Sequence, residues 1–176
     1  QPQYGIGSAG VLYECMEEGE MSRQMGIIED WKNLELIGNI RSCRDYYAYW
    51  SMEWDSFLMH WGGPFYLVDV VKRADVQNLS AFYRYPKGSA PSIHNGFTDG
   101  AKLYSTIESL GYPFEHRSQY YDSDHFKFAS VSTPNTLENA SGSFDATEID
   151  LSKIFTTTKS SFSYDEETGT YKKYLY

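Results

Sequence analysis

The segment Ser56-Phe57-Leu58-Met59-His60-Trp61-Gly62-Gly63-Pro64-Phe65-Tyr66-Leu67-Val68-Asp69-Val70-Val71-Lys72 changes character partway along. Its first five residues form a short apolar run suited to a buried strand, closed by His60. Gly62-Gly63-Pro64 reads as a sharp turn. Residues 65–72 read as a helix with the proline near its first turn, where a missing N–H costs little. In α/β arrangements a strand that feeds a helix through such a turn brings side chains to a crevice. His60 is therefore a candidate acid, base or ligand, with a hydrogen-bonded core histidine as the alternative.

Toward the N-terminus, residues 1–10 are turn-rich, residues 11–18 suit a strand or a short helix stopped by Gly19, and residues 21–29 alternate as a half-buried strand does. Arg41-Ser42-Cys43-Arg44-Asp45 leads into a helical period over residues 46–53, with Ser42 and Asp45 spaced as a capping box. Toward the C-terminus, residues 82–85 form a short strand, residues 86–96 a loop, and Thr98 or Asp99 caps a helix that runs to about Leu110 and ends at Gly111 and Pro113. Beyond residue 115 the texture changes to Ser, Thr, Asn and Asp with short apolar patches. There Ser161-Phe162-Ser163-Tyr164 and Thr170-Tyr171-Lys172-Lys173-Tyr174 flank Asp165-Glu166-Glu167-Thr168-Gly169, a hairpin with glycine where the turn wants positive φ. The class expected is α+β, with a main domain over residues 1–114 and a β-rich portion over 115–176.

Composition narrows the function. A chain of 176 residues buries roughly 70% of its unfolded surface. With 41% hydrophobic and 17% aromatic residues, it has the means to build a core. The net charge is −9, carried as −4 over residues 1–50, −1 over 51–114 and −4 over 115–176. Without a basic run, nucleic-acid binding and attachment to anionic lipid are both disfavoured. The charge-free stretch over residues 56–68 holds 13 residues, short of the roughly 20 that span a bilayer. The chain opens Gln1-Pro2-Gln3 without a basic or apolar leader, so any targeting segment is expected outside it. Cys15 and Cys43 match neither a metal spacing nor a disulfide framework, which leaves two buried thiols or a single bridge.

Gly5-Ile6-Gly7-Ser8-Ala9-Gly10 has the letters of a dinucleotide fingerprint, but no strand precedes it to feed the glycines, so no cofactor is expected. His60, His94, His116 and His125 lack zinc-ligand spacing, so no metal is expected either. Arg41 and Arg44 bracket the predicted helix start, where amide N–H groups and two guanidiniums favour an anion. Pairing with Glu14, Glu18 or Asp45 in a structural ion network is the alternative. His94 lies in a loop, where polar side chains more often serve function. Arg84 lies between Tyr83 and Tyr85, on which it could simply stack.

Several of these words occur in a familiar order: Tyr13-Glu14 with Glu18-Gly19 and Arg23, then Gly38-Asn39-Ile40-Arg41-Ser42-Cys43-Arg44-Asp45-Tyr46-Tyr47, then His60 with Gly62-Gly63. Phe82-Tyr83-Arg84, Ala90-Pro91 to His94-Asn95, and Tyr164-Asp165-Glu166-Glu167-Thr168-Gly169-Thr170-Tyr171 continue it. The chain resembles the YerB-like family of bacterial lipoproteins across most of its length, most weakly over residues 113–143. Ser92 and Ile93 separate Pro91 from His94, where the family reads Ala-Pro-His-Asn. The resemblance implies a layered sandwich in which helices pack a mixed sheet, a smaller C-terminal β portion, an extracytoplasmic location, and an N-terminal lipid anchor outside a chain that is itself a fragment. It implies no reaction.

The reading that follows is a cell-envelope binding module for an anionic or polar ligand. Its crevice would be lined by Arg41, Arg44, Asp45, His60, Arg84 and His94, with Glu14, Glu18 and Arg23 behind. One alternative is a hydrolase with His60 or His94 as base and the two arginines Arg41 and Arg44 stabilising developing charge. Another is a scaffold whose exposed tyrosines meet an envelope protein.

Overall fold

The computed structural model describes residues 3–84, 94–130 and 132–175. In chain order the elements are a 3-10 turn at Ile6–Ser8, strands β1 (Val11–Met16) and β2 (Ser22–Ile27), a second 3-10 turn at Trp31–Asn33, and β3 (Ile37–Gly38). Helix α1 (Asp45–Met52), β4 (Phe57–Met59), α2 (Leu67–Val70), β5 (Gln77–Leu79), β6 (Tyr83–Arg84), β7 (Gly96–Thr98) and α3 (Gly100–Leu110) follow. Strands β8 (Glu148–Asp150), β9 (Ser161–Asp165) and β10 (Thr170–Tyr174) complete the set. The class is α+β. Among the described residues its strands are shared between four small sheets, β1-β2, β3-β7-β6, β4-β5 and β10-β9-β8, rather than one mixed sheet. Parallel and antiparallel pairings both occur, but in different sheets.

Two compact units emerge, one of Gln1–Leu12 with Gly26–Phe126 and one of Tyr13–Met25 with Lys127–Tyr176. The sequence puts its boundary near residue 115; the structure puts it after Phe126 and assigns residues 13–25 to the second unit as well. The reason is tertiary hydrogen bonding that local composition does not reveal. Glu14 and Ser22, on the outer parts of β1 and β2, bond to Ser160, Lys173 and Thr158.

In the first unit β4, α2 and β5 form a parallel crossover with Phe57 opposite Gln77 and Met59 opposite Leu79. The strand, turn and helix expected over residues 56–72 are present, although α2 covers only Leu67–Val70. Leu67 is its buried anchor while Phe65 stands 89% exposed, and so short an apolar face holds one helical turn. Strand β5 has no sequence signal, because Gln77 and Asn78 are poor strand formers and only pairing with β4 makes them one. Helix α3 packs Leu103 and Ile107 against Leu79 and Ala81, with Trp31, Phe57 and Tyr112 closing the cluster. Its ends follow the expectation: Asp99 accepts from Lys102 N at 2.7 Å, and Gly111 closes it at φ 68°, a left-handed value that glycine adopts freely.

Helix α1 begins later than the capping box implies. Its N-cap is Arg44, in extended conformation, and Ser42 makes no cap. Trp61 N donates to Arg41 O and Cys43 N to Gly62 O, and these ladder-like bonds hold residues 41–43 extended until Asp45 can turn. The Asp45 carboxylate then accepts from Tyr46 N at 3.0 Å.

Asp55 and Arg117 lock the first unit from within. The Asp55 side chain is wholly buried and that of Arg117 is 14% exposed. Arg117 donates to Asp55 Oδ1 from Nε and Nη2 and to Oδ2 from its backbone N. Its remaining guanidinium N–H groups reach Ala74 O at 2.7 Å and Asp75 O at 3.0 Å. The segment after α3 is thereby pinned to the loops flanking β4 and β5.

In the second unit β9 and β10 form the expected hairpin, Thr170 opposite Asp165, and β8 extends the sheet on the far side of β9. Gly169 supplies φ 66° at the turn. Beneath this sheet the Glu14 carboxylate accepts from Ser22 Oγ at 2.7 Å, Ser160 Oγ at 3.0 Å and Lys173 Nζ at 2.5 Å. Burial pushes the Glu14 carboxyl up, but hydrogen bonds from Lys173 and Ser22, the Lys173 charge and the Ser160 bond outweigh it and hold the carboxyl below its ordinary value. A depressed carboxylate contributes stability that is present above the unfolded-state value and is lost as pH falls through the folded one. Thermal melts are thus expected to drop on acidification through about pH 4, and more steeply for the parent chain than for Glu14→Gln. Equal slopes would show that the pair contributes nothing.

Candidate functional site

Strand β3 lies antiparallel to β7, with Ile37 opposite Thr98 and Gly38 opposite Phe97. Continued one for one beyond the strand ends, this register brings Asn39 opposite Gly96 and Arg41 opposite His94. The chain follows it: Ile40 N donates to Gly96 O at 2.6 Å, and Arg41 Nη1 donates to His94 Nδ1 at 2.6 Å. Gly96 is required here, because a Cβ would overlap the Trp61 ring, which in turn stacks on Phe82. On the other flank Tyr4 and Gly38 exchange backbone hydrogen bonds, which sets Gln3 beside Asn39. Asn39 N donates to Gln3 Oε1 at 3.2 Å.

Gln3, Asn39, Arg41 and His94 line a cleft of about 290 Å³. A guanidinium has no acceptor, so His94 Nδ1 must be the unprotonated nitrogen and Nε2 carries the hydrogen. Arg41 is thereby braced through one nitrogen with its Nε and Nη2 donors uncommitted among the described residues. Asn39 Oδ1 is buried without a partner among the described residues. The cleft thus offers a positive fork, imidazole and carboxamide donors and one idle acceptor, and no carboxylate is among its described lining residues. That set can hold an anion.

Of the sequence candidates, Arg41 and His94 meet in this cleft, and Arg44, Asp45 and His60 are not among its lining residues. Arg44 turns back to Cys43 O at 3.0 Å. His60 has Nδ1 at 2.7 Å from Gly62 O and Nε2 at 2.7 Å from the Asn78 carboxamide, so both ring nitrogens are engaged at the end of the β4–β5 pair. The Arg84 backbone pairs with Gly96 in β6, while its side chain and residues 85–93 lie outside the described residues. Glu14, Glu18 and Arg23 belong to the second unit, where Arg23 pairs with Glu17 at 2.5 Å. Cys15 and Cys43 form no disulfide. Gln3 and Asn39 were missed as site residues, although Asn39 directly precedes Ile40-Arg41 in the motif that carries the family resemblance.

Among the described residues no three His, Cys, Asp or Glu side chains group to hold a metal, and no helix is long and apolar enough to cross a membrane. A Bacillus subtilis protein named "Putative lipoprotein YerB" is 25% identical over 126 residues, 67% of this chain and 37% of the relative. The crystal structure of YerB from Bacillus subtilis superposes with a TM-score of 0.70 at 19% identity, covering 99% of this chain and 56% of that one, which shows a shared fold. The chain therefore spans little more than half the length of its crystallised relative. Residues 1–113 match the family described as "Protein of unknown function (DUF3048) N-terminal domain", and the chain belongs to that YerB-like family.

Proposed function

We propose that this chain is the ligand-binding part of an extracytoplasmic lipoprotein, tethered by a lipid anchor outside the chain, and that it captures a small anionic ligand in the cleft of Arg41 and His94. The carrying observation is the braced guanidinium. Arg41 has its Nε and Nη2 donors uncommitted among the described residues in a cleft of about 290 Å³, on a chain whose net charge is −9. An acidic protein that keeps a guanidinium clear of its own carboxylates has a donor set suited to an external anion. The hydrolase reading draws less support. His60 has both ring nitrogens engaged, and the one lone pair of neutral His94 is taken by Arg41, which leaves neither imidazole ready as a base.

Titration with acetate and with inorganic phosphate, followed by amide chemical shifts, tests this. Arg41→Ala is expected to weaken anion binding about 10- to 100-fold, as loss of a charge-assisted pair does, with the melting temperature nearly unchanged. Equal affinity in parent and variant would remove the proposal.

A further inference from the structure

The cleft's second polar feature says more about its ligand than the arginine does. A fork of N–H donors accepts any oxyanion, but Asn39 Oδ1 needs the opposite: a hydrogen to accept. An acceptor buried without a partner carries a desolvation cost that a ligand N–H or O–H would relieve. Sulfate, fully ionised at neutral pH, presents acceptors alone and would leave Asn39 as it is, whereas hydrogen phosphate keeps an O–H and is set apart by shape, being tetrahedral where a carboxylate is flat. Charge points the same way, since a chain at −9 repels a dianion more strongly than a monoanion. Geometry adds the third constraint. With Nη1 held by His94, the Nε–Nη2 edge of Arg41 remains, and two parallel N–H donors match the flat fork of a carboxylate. Gln3 has its Oε1 committed to Asn39 N, which leaves its carboxamide N–H groups for a neighbouring carbonyl. The volume, about 290 Å³, lies at the small end of ligand cavities, roughly 300–1,000 Å³.

Building on the anion-binding reading above, we infer that the cleft takes a carboxylate carrying an amide N–H on the adjacent carbon, the chemistry of an N-acylated amino acid or of a peptide's free C-terminus. The carboxylate lies along Arg41, the amide N–H donates to Asn39 Oδ1, and the acyl carbonyl accepts from Gln3.

The test is a titration of the 176-residue chain with five probes: N-acetyl-alanine, N-acetyl-alanine amide, propionate, inorganic phosphate and N-acetyl-trialanine. N-acetyl-alanine is expected to bind about tenfold tighter than propionate or phosphate, and the amide, which lacks the carboxylate, not to bind measurably. Asn39→Leu should bring N-acetyl-alanine down toward the level of propionate. Because that variant alters a residue with tertiary bonds, the probe series on the parent chain decides independently of it. N-acetyl-trialanine binding as tightly as N-acetyl-alanine or tighter identifies a peptide end as the ligand source; weaker binding identifies a free acylated amino acid. Phosphate or propionate binding as tightly as N-acetyl-alanine, and lost in Arg41→Ala, overturns this inference and leaves the anion site standing. Binding of no probe, or binding that survives Arg41→Ala, removes both.

Discussion

Asp55→Ala is expected to destabilise the first unit by about 3–5 kcal/mol, a large fraction of the roughly 5–15 kcal/mol that holds an ordinary domain together. The carboxylate accepts three bonds from Arg117, and deleting it strands a guanidinium that is only 14% exposed. Removing one partner of a buried pair costs far more than the pair contributes, because the remaining charge loses its compensation and cannot reach water. Asp55 also sits at φ 44°, where Asn is the best-tolerated replacement with a side chain. Asp55→Asn therefore separates the charge from the backbone, and it is expected to fall between the parent and Asp55→Ala. Chemical denaturation followed by tryptophan fluorescence measures all three. An Asp55→Ala midpoint close to the parent's would mean that the Asp55–Arg117 pair is not the lock its geometry implies.

Gly100→Ala is expected to cost about 3 kcal/mol or more, although alanine is the better helix former. Gly100 opens α3 where the helix meets the 3-10 turn at Trp31–Asn33, and its N donates to Leu34 O at 2.8 Å. A Cβ there would overlap the Lys32 carbonyl and stand 2.6 Å from Trp31 O. Those are backbone atoms and cannot swing aside as a side chain would, so the helix start or the turn must move. Movement would disturb the cluster of Leu103 and Ile107 with Leu79 and Ala81. Two controls set the scale. Gly111→Ala, with open space but φ 68°, should cost about 1 kcal/mol, and Gly7→Ala, with open space and an ordinary φ, close to nothing. If Gly100→Ala matched Gly7→Ala, the close approach of α3 to that turn would be refuted.

The elements legible from the sequence share one property: neighbours along the chain define them. Asp99 and Gly111 bound α3 through bonds to residues a few positions away, and Gly169 closes a turn between strands five residues long. Elements that went unread are made by partners far away. Residues 77–79 become a strand only because β4 lies alongside, and Ser42 fails as a cap because the 61–62 backbone holds residues 41–43 extended. The site divides the same way. Arg41 stands out in the sequence as a cation at a predicted helix start and His94 as an imidazole in a loop, whereas Gln3 and Asn39 look like any neutral amides until the cleft gathers them.

Sequence alone determined the α+β class, the capped helix over residues 100–110, the C-terminal hairpin, the acidic charge and the family. Local hydrogen bonds, periodicity and motif order are written in consecutive residues. Tertiary structure decided that Arg41 meets His94 while His60 is tied to Asn78, that Asp55 holds Arg117, and that residues 13–25 belong with the C-terminal strands. Each of these is a pairing across 18 residues or more, set by strand register and by the need of buried charges for partners, and no stretch of neighbouring residues encodes it.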